Sequence, residues 1–250
     1  MDVFNEEATT FADHWAGLPA PAQREIADAL QLTEGTRLLD VGCGSGHFCA
    51  QALARGAHVS GIDAAPAMIA IASRVAPGAD FCVGPMDELP WPDDTFDAVT
   101  SFNSLQFADD PDVALREWVR VAKPGAAIAI CVWGPREECE LDAVWGAVST
   151  EPPAPRFCER LVETVATAGL TLSTHATVSV PYEVRDRERF ELGHGFLARG
   201  VAGVPEAEAL AAMVSAAEPF RRPDGSYRLE NTFRYALSAV PSPRPTPAAS

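Results

Sequence analysis

The chain has 250 residues, of which 47% are hydrophobic and 22% charged, enough apolar material for one well-buried domain. Its formal net charge of −16 repels phosphate backbones and anionic lipid surfaces, which excludes nucleic acid and membrane surfaces as expected partners. No run is long and apolar enough to span a membrane, and the N-terminus lacks the basic and apolar segments of a signal peptide, so we expect a cytoplasmic protein.

The six cysteines show no Cys-x-x-Cys pair and no other paired spacing typical of metal ligands. Most of them lie in apolar runs, where a thiol behaves as a small hydrophobic side chain. We therefore expect no metal site and six reduced thiols, at Cys43, Cys49, Cys82, Cys131, Cys139 and Cys158.

The N-terminal residues 4–31 have the apolar spacing of one or two amphipathic helices. Phe4, Phe11 and Trp15 supply one apolar set, and prolines at positions 19 and 21 interrupt the pattern before it resumes.

A short apolar run from Leu38 to Val41 predicts a buried strand that leads directly into Gly42, Gly44 and Gly46. Glycine allows the backbone to adopt positive φ angles and to approach a ligand closely. A helical pattern follows, and the start of a helix offers unpaired N–H groups and a partial positive charge. Strand, glycine loop and helix together predict the first half of a nucleotide-binding crevice.

The spacing of these glycines differs from that of a dinucleotide site. The fingerprint Gly-x-Gly-x-x-Gly would place its third glycine at His47, and no Gly-Lys-Ser/Thr for a triphosphate is present. The acid within the strand, Asp40, fits a cationic ligand group better than a pyrophosphate. A nicotinamide-dependent oxidoreductase is therefore disfavoured.

Beyond this loop, strand and helix patterns alternate with short connections, which predicts a parallel sheet covered by helices on both faces. Strands are expected near residues 37–42, 58–62, 79–83, 96–102 and 126–133, and helices near residues 46–55, 66–74, 110–122 and 157–168.

The periodicity weakens in the C-terminal part of the chain. Two segments rich in β-branched and aromatic residues, 171–184 and 227–240, predict a sixth and a seventh strand. The proline-rich stretches 151–155 and 241–250 predict a loop and a disordered tail. Further helices are expected at residues 137–148, 188–197 and 205–217.

Four stretches in this order resemble the motifs of the class I S-adenosylmethionine (SAM) dependent methyltransferases: Arg37–Phe48, His58–Asp63, Asp94–Asp97 and Val119–Gly125. The second stretch ends in the acid with which the family binds both ribose hydroxyls, since a carboxylate accepts from two donors. The resemblance covers about residues 35–135. The flanking segments resemble the small-molecule methyltransferases of ubiquinone and menaquinone biosynthesis only loosely.

The resemblance implies an α/β fold with a doubly wound, Rossmann-like sheet of about seven strands, mostly parallel with an antiparallel last strand, plus helical lid elements. Residues 1–240 would form a single domain. In the family, N-terminal helices lie over cofactor and substrate; the alternative here is that Phe11 and Trp15 simply pack on the core. The parts of the domain would be cover helices at 1–34, the SAM-binding core at 35–135, and completion of the sheet at 136–240 with a helical insertion at 185–217.

The implied cofactor is SAM, with S-adenosylhomocysteine (SAH) as product. For three of the residues implied to bind the cofactor, the sequence also allows another role: Asp63 as a helix N-cap, Met68 as part of the helix core, and Asp87 as a solvated loop residue. The adenine loop also departs from the family, because Pro85 stands where relatives commonly carry an acid. The full cofactor-binding set is Asp40, Gly42, Cys43, Gly44, Gly46, Asp63, Ala64, Met68, Met86, Asp87 and Asn103.

Methyl transfer from a sulfonium needs little from side chains, since the methyl group is already activated and the nucleophile only has to be held near it. No catalytic dyad is evident. The catalytic candidates are His14, His194 and Gln106, with surface or packing roles as the alternative. The aromatic residues that would line an apolar acceptor pocket, or equally belong to the core, are Phe11, Trp15, Trp133, Tyr182 and Phe196.

The sequence therefore predicts a SAM-dependent methyltransferase that acts on a small aromatic or apolar metabolite, with attack by O, N or C left open. The alternative is a SAM-binding protein of the same fold that catalyses another reaction or has a structural role. The expected partner is the small-molecule acceptor, and the chain is expected to be a monomer or a homodimer.

Overall fold

The computed structural model describes residues 2–149, 154–201 and 203–242, so residues 151–153 of the predicted loop and 243–250 of the predicted tail lie outside the described residues. The strands are β1 (Arg37–Val41), β2 (His58–Asp63), β3 (Asp80–Val83), β4 (Phe96–Phe102), β5 (Ala122–Trp133), β6 (Thr171–Ser179), β7 (Tyr182–Val184), β8 (Tyr227–Leu229) and β9 (Thr232–Ala239). The α-helices are α1 (Asp2–Glu6), α2 (Ala8–His14), α3 (Ala20–Ala29), α4 (His47–Leu53), α5 (Pro66–Val75), α6 (Pro111–Val121), α7 (Leu141–Gly146), α8 (Leu161–Thr167), α9 (Arg187–Arg199) and α10 (Glu206–Ala217).

One large sheet has the strand order β3-β2-β1-β4-β5-β9-β6. The first five of these strands pair in parallel, while β9 runs antiparallel to both β5 and β6. The predicted doubly wound sheet with an antiparallel last strand is confirmed. The chain turns from one half of the sheet to the other between β1 and β4, and ligands of such folds bind outside the carboxyl ends of the strands at this point.

The two C-terminal strand predictions each cover two strands rather than one. β7 pairs with β8 in a separate two-stranded sheet, while β6 and β9 remain in the large one. The break falls at Pro181, which has no N–H for a sheet ladder. Next to it, Val180 N donates to Asn231 O at 2.8 Å, which closes the large sheet before the chain leaves it.

The N-terminal segment forms three helices, where the sequence predicted one or two. α2 ends at His14, and α3 begins at Ala20 with proline in its first turn, where a missing N–H has no cost. The break between these elements separates two packing partners, since α2 contacts α5 and α9 whereas α3 contacts α4 and β6.

The N-terminal helices and the C-terminal insertion share one hydrophobic core. Trp15 and Ile26 pack in the same cluster of buried side chains as Phe190 of α9 and Met213 of α10. All six cysteines carry free thiols, and five of them are buried. None of the described helices is long and apolar enough to cross a membrane.

Candidate active site

A cavity of about 440 Å³ opens at the carboxyl ends of the central strands, beneath the N-terminal helices. This volume lies within the range of small-molecule sites. Its polar half is formed by side chains and backbone of β1, the glycine loop, β2 and the segment after β4; its other half is aromatic. The residues that line it include Phe4, Phe11, Trp15, Asp40, Gly42, Cys43, Gly44, His47, Asp63, Ala64, Met68, Met86, Asn103, Gln106, Phe107, Asp109, Trp133 and Phe233.

The glycine loop is shaped by two glycines with different roles. Gly42 has φ +69° and lies against Ser104, so a Cβ at this position would overlap the Ser104 side chain. Gly46 has φ +77° and a Cβ there would meet Ala72 of α5 at 2.9 Å. Gly42 lines the cavity, whereas Gly46 does not; Gly46 lets α4 pack against α5.

Asp63, at the end of β2, holds the glycine loop to the second strand. Its Oδ2 accepts from Gly44 N and its Oδ1 accepts from Ala65 N, each at 2.9 Å. Ala65, not Asp63, is the N-cap residue of α5. Burial raises the pKa of Asp63, partly offset by these two backbone hydrogen bonds. Each carboxylate oxygen retains acceptor capacity toward the cavity.

Asp40 is a buried carboxyl group on the cavity wall, with 3% of its surface exposed. Thr100 Oγ1 donates to it at 2.7 Å and Cys49 Sγ at 3.7 Å, and neither partner carries a positive charge. Burial raises the pKa of Asp40 to about 7. A buried acid at a cavity with uncharged partners is suited to a cationic ligand group.

Of the remaining cofactor-binding candidates, some line the cavity and others lie outside it. Met68 is buried and Met86 is partly buried. The backbone carbonyl of Met86 accepts a hydrogen bond from Trp118 Nε1 at 2.9 Å, which fixes its position. Asp87 is exposed and lies outside the cavity, as does Gly46. The candidates that line it are Asp40, Gly42, Cys43, Gly44, Asp63, Ala64, Met68, Met86 and Asn103.

The aromatic half of the cavity is built from several elements. Trp133, at the end of β5, packs edge-on against Phe233 of β9 with ring centroids 4.9 Å apart. Trp15 Nε1 donates to Gly193 O of α9 at 2.7 Å, which fixes the indole ring. Phe4 packs edge-on against Phe107 at 5.5 Å on the cavity rim.

Two of the predicted acceptor-pocket residues do not reach this cavity. Tyr182 and Phe196 are buried in the core that the insertion shares with the N-terminal helices. Tyr182 stacks on Trp15 at 4.9 Å, so it supports the cavity wall from behind. Of the five predicted residues, Phe11, Trp15 and Trp133 line the cavity.

The two histidine candidates for catalysis also lie away from the cavity, whereas Gln106 lines it. His194 is fully buried, stacks on Phe190 at 4.0 Å and has its Nδ1 2.9 Å from the Phe190 carbonyl oxygen. Burial lowers its pKa to about 4. Burial, together with the nearby Arg189, lowers the pKa of His14. Neither histidine is positioned to contact a ligand in this cavity.

Several lining residues were missed by the sequence analysis. His47 begins α4 and pairs through Nδ1 with Ser45 Oγ at 2.9 Å; its position directly after the glycine loop was the available signal. Phe107 follows β4, whose carboxyl end the topology puts at the site. Phe233 arrives from the far end of the chain, and no local pattern could have identified it.

A doubly wound sheet with a glycine loop and carboxylates on its first and second strands defines a nucleoside-binding α/β domain. SAM fits these residues. Its ribose hydroxyls could donate to Asp63, and its two cationic groups, the ammonium and the sulfonium, would lie near Asp40. Residues 39–130 match the methyltransferase domain family. Together with the fold, this match over the central part of the chain supports a SAM-dependent methyltransferase domain of class I, and the cofactor that such a domain implies is SAM.

Two curated relatives illustrate the sequence similarity. The malonyl-[acyl-carrier protein] O-methyltransferase of Halorhodospira halophila is 36% identical over 152 residues, which are 56% of this chain and 52% of the relative. The demethylmenaquinone methyltransferase of Streptomyces avermitilis is 33% identical over 144 residues, 53% of this chain and 62% of the relative. The chain thus matches only about half to two thirds of the length of these relatives.

Solved structures share the fold over most of their length. A methyltransferase in complex with the Haloferax volcanii Trm112 activator is similar with a TM-score of 0.65, 20% identity, and coverage of 98% of this chain and 97% of the other. The [4+2]-cyclase SpnF is similar with a TM-score of 0.60, 23% identity, and coverage of 89% and 81%. At these identities the likeness concerns the fold alone.

Proposed function

We propose that this protein transfers the methyl group of SAM to a small aromatic or apolar acceptor bound in the same cavity. The observation that carries the proposal is the division of that cavity into two halves. Carboxylates and the glycine loop form one half, and aromatic side chains of the N-terminal segment, β5 and β9 form the other. A polar cofactor and an apolar acceptor would meet where the halves join.

The side chains of this chain would act mainly by binding and orientation. SAM supplies a sulfonium-activated methyl group, so the protein has to hold the acceptor atom in line with it. Asp40 and Asp63 would orient the cofactor, while Trp15, Trp133 and Phe233 would exclude water and fix the acceptor ring. The relatives are named for an acyl-carrier substrate and for a menaquinone precursor, which leaves the acceptor of this chain open.

Calorimetry with SAM, SAH and NAD tests the cofactor half of the proposal. SAM and SAH are expected to bind one per chain and NAD not at all. Asp63→Asn should weaken SAM binding by about tenfold or more, because hydrogen bonds to a charged acceptor contribute roughly 1.5–3 kcal/mol each. Asp28→Asn removes an exposed carboxylate that pairs with Arg55 and is the matched control.

Transfer itself is tested with methyl-labelled SAM and a set of aromatic and apolar metabolites, followed by mass spectrometry of methylated products. Labelled product with SAH formation in equal amount is the expected result. Tight SAM binding without any labelled product would instead support a role for SAM other than methyl donation. NAD binding without SAM binding would contradict the proposal altogether.

A further inference from the structure

Asn103 lies at the junction of the two halves of the cavity. It follows β4, which pairs with β1 on the cofactor side and with β5 on the aromatic side. Its backbone N donates to Cys131 O of β5 at 2.7 Å, and the next residue, Ser104, donates through Oγ to Val41 O of β1 at 2.7 Å. Asn103 is thus anchored between the strand that ends at the glycine loop and the strand that ends at Trp133.

The conformation of Asn103 is unusual in two respects. Its φ is +53°, in the left-handed region that non-glycine residues seldom adopt. Its side-chain Oδ1 is buried and has no hydrogen-bond partner. Strained residues and buried polar atoms without a hydrogen bond are concentrated at functional sites, because a ligand can supply the missing hydrogen bond. Asn103 lines the cavity, and a ligand hydrogen bond to Oδ1 would require a rotation about the broad terminal torsion that turns this atom from its buried position toward the cavity.

The charges around the cavity restrict what can bind beside Asn103. None of the described side chains that line the cavity is a lysine or an arginine, while three are aspartates: Asp40, Asp63 and Asp109. A carboxylate on the acceptor would be desolvated there with no lysine or arginine of this lining to pair with it. An uncharged ring with a hydroxyl or amine group would bury its apolar surface against the aromatic half and still satisfy Oδ1.

We propose that Asn103 selects the acceptor: its side-chain amide accepts a hydrogen bond from the O–H or N–H of an uncharged aromatic acceptor, and the cavity rejects acceptors that carry a carboxylate. This inference rests on the proposed function, and it predicts that malonylated carrier protein is not a substrate of this chain.

The test compares three probes on the SAH-saturated protein by saturation-transfer NMR titration: naphthol, methoxynaphthalene and naphthoate, substituted at the same ring position. Naphthol should bind about fivefold more tightly than methoxynaphthalene, the factor that one net hydrogen bond gives, and naphthoate should bind most weakly. Asn103→Gly keeps the left-handed backbone accessible and removes the amide. It should abolish the preference for naphthol, measured at SAH concentrations that saturate the variant. Asn103→Asp keeps an acceptor oxygen and should preserve the preference.

The inference is overturned if naphthol does not bind or is not preferred over methoxynaphthalene, if naphthoate binds as tightly as naphthol or more tightly, if Asn103→Asp loses the preference, or if malonylated carrier protein is methylated. A large loss of SAH affinity in Asn103→Gly with the naphthol preference intact would assign the side chain to the cofactor instead. SAH binding is measured first by calorimetry. Its absence would contradict the proposed function, whereas SAH binding without the naphthol preference contradicts this inference alone.

Discussion

At the scale of single residues, Asp40 combines burial with a position on the cavity wall. Thr100 and Cys49 donate hydrogen bonds to it, but burial dominates and raises the pKa of its carboxyl group from 3.8 to about 7. In the ligand-free protein this group is therefore partly protonated at neutral pH. The cationic end of SAM would interact favourably only with the ionised form.

We predict that the affinity for SAM increases as the pH rises to about 7. Below that pH, the protein should release a proton from Asp40 when SAM binds. The reason is linkage: between about pH 4 and 7 the free protein holds a proton on Asp40 that the complex does not. Calorimetry at about pH 6 and pH 8, in buffers of different ionisation enthalpy, measures both effects, and the affinity should differ by up to about tenfold.

Asp40→Asn is the control for this pH dependence, because it removes the titrating group and keeps an acceptor for Thr100. The variant should bind SAM more weakly and with a flat pH profile. Burial lowers the pKa of His47, the histidine on the cavity wall, and this ring is the other titrating group that has to be separated from Asp40. A pH profile that persists in Asp40→Asn would assign the proton to another group, such as Asp63.

At the scale of elements, local sequence patterns were sufficient to predict the strands in the first half of the sheet. β1 contains a short apolar run that leads into Gly42, and β2 ends at Asp63, three residues before Pro66. The glycine loop with Asp40 and Asp63 is contiguous with these two strands in sequence. What sequence patterns did not reveal depends on distant contacts. The split of residues 171–184 into β6 and β7 follows from which strand each piece meets, and Phe233 reaches the cavity only through the β5–β9 pairing.

The roles of the histidines were also decided by tertiary packing. His14 and His194 are aromatic, titratable and located in the segments predicted to cover the site, which made them reasonable catalytic candidates. In the fold, α2 packs against α9, and both histidines face that contact rather than the cavity. No pattern in one sequence distinguishes these two faces of a short helix.

We predict that His194 makes the protein sensitive to acid. Its pKa is about 4 in the folded state and 6.5 in the unfolded chain, so the unfolded state binds more protons between these values and stability falls as the pH is lowered through 6.5. The loss should reach about 3 kcal/mol near pH 4. Urea unfolding of the wild type and of a His194 variant at about pH 7 and pH 5 measures it as a difference, because the raised pKa of Asp40 stabilises both proteins equally toward acid. The nearby His14 lowers the pKa of His194 further. Tyr182, whose own pKa is raised by burial, lies beside His194 as an uncharged phenol and offers no negative charge to an imidazolium.

His194→Phe should preserve the stacking on Phe190 and remove the acid-dependent loss of stability that His194 contributes. His175→Gln, on the exposed outer strand β6, is the matched control and should leave the profile unchanged. If the two variants lose stability equally between these pH values, the acid sensitivity arises elsewhere and His194 is not its source.

At the scale of the whole molecule, the N-terminal helices and the insertion form one cover. Trp15 Nε1 bonds to Gly193 O at 2.7 Å, Arg189 Nη2 donates to Asp13 O at 2.9 Å, and Arg199 pairs with Glu7. Trp15 and Leu18 belong to the shared core, so removal of residues 1–18 would take out part of that core as well as the cover. A test of the cover therefore needs a point change in the contact between α2 and α9.

Two glycines of α9 are suitable for this test. A substitution at Gly193 changes the contact with α2, and the same substitution at Gly195 is the control. A Cβ at Gly193 would come within 3.2 Å of Tyr182 Oη and 3.3 Å of His14, whereas a Cβ at Gly195 would have Arg199 as its nearest neighbour, at 3.7 Å. Both alanine variants gain about 0.5–1 kcal/mol of helix propensity, but only Gly193→Ala also crowds the α2 contact.

We predict that SAH slows amide hydrogen exchange in α2 and α9 together, because a ligand under the cover stabilises its closed position as one unit. Gly193→Ala should speed exchange in α2 in the absence of ligand and weaken SAH binding, whereas Gly195→Ala should do neither and should raise the melting temperature. Exchange is followed by mass spectrometry, with β5 as the internal reference, since its amides belong to the sheet. If SAH protects only the glycine loop, or if the two alanine variants behave alike, then α2 and α9 pack on the core without moving as a cover, and admission of the acceptor has to occur by another route.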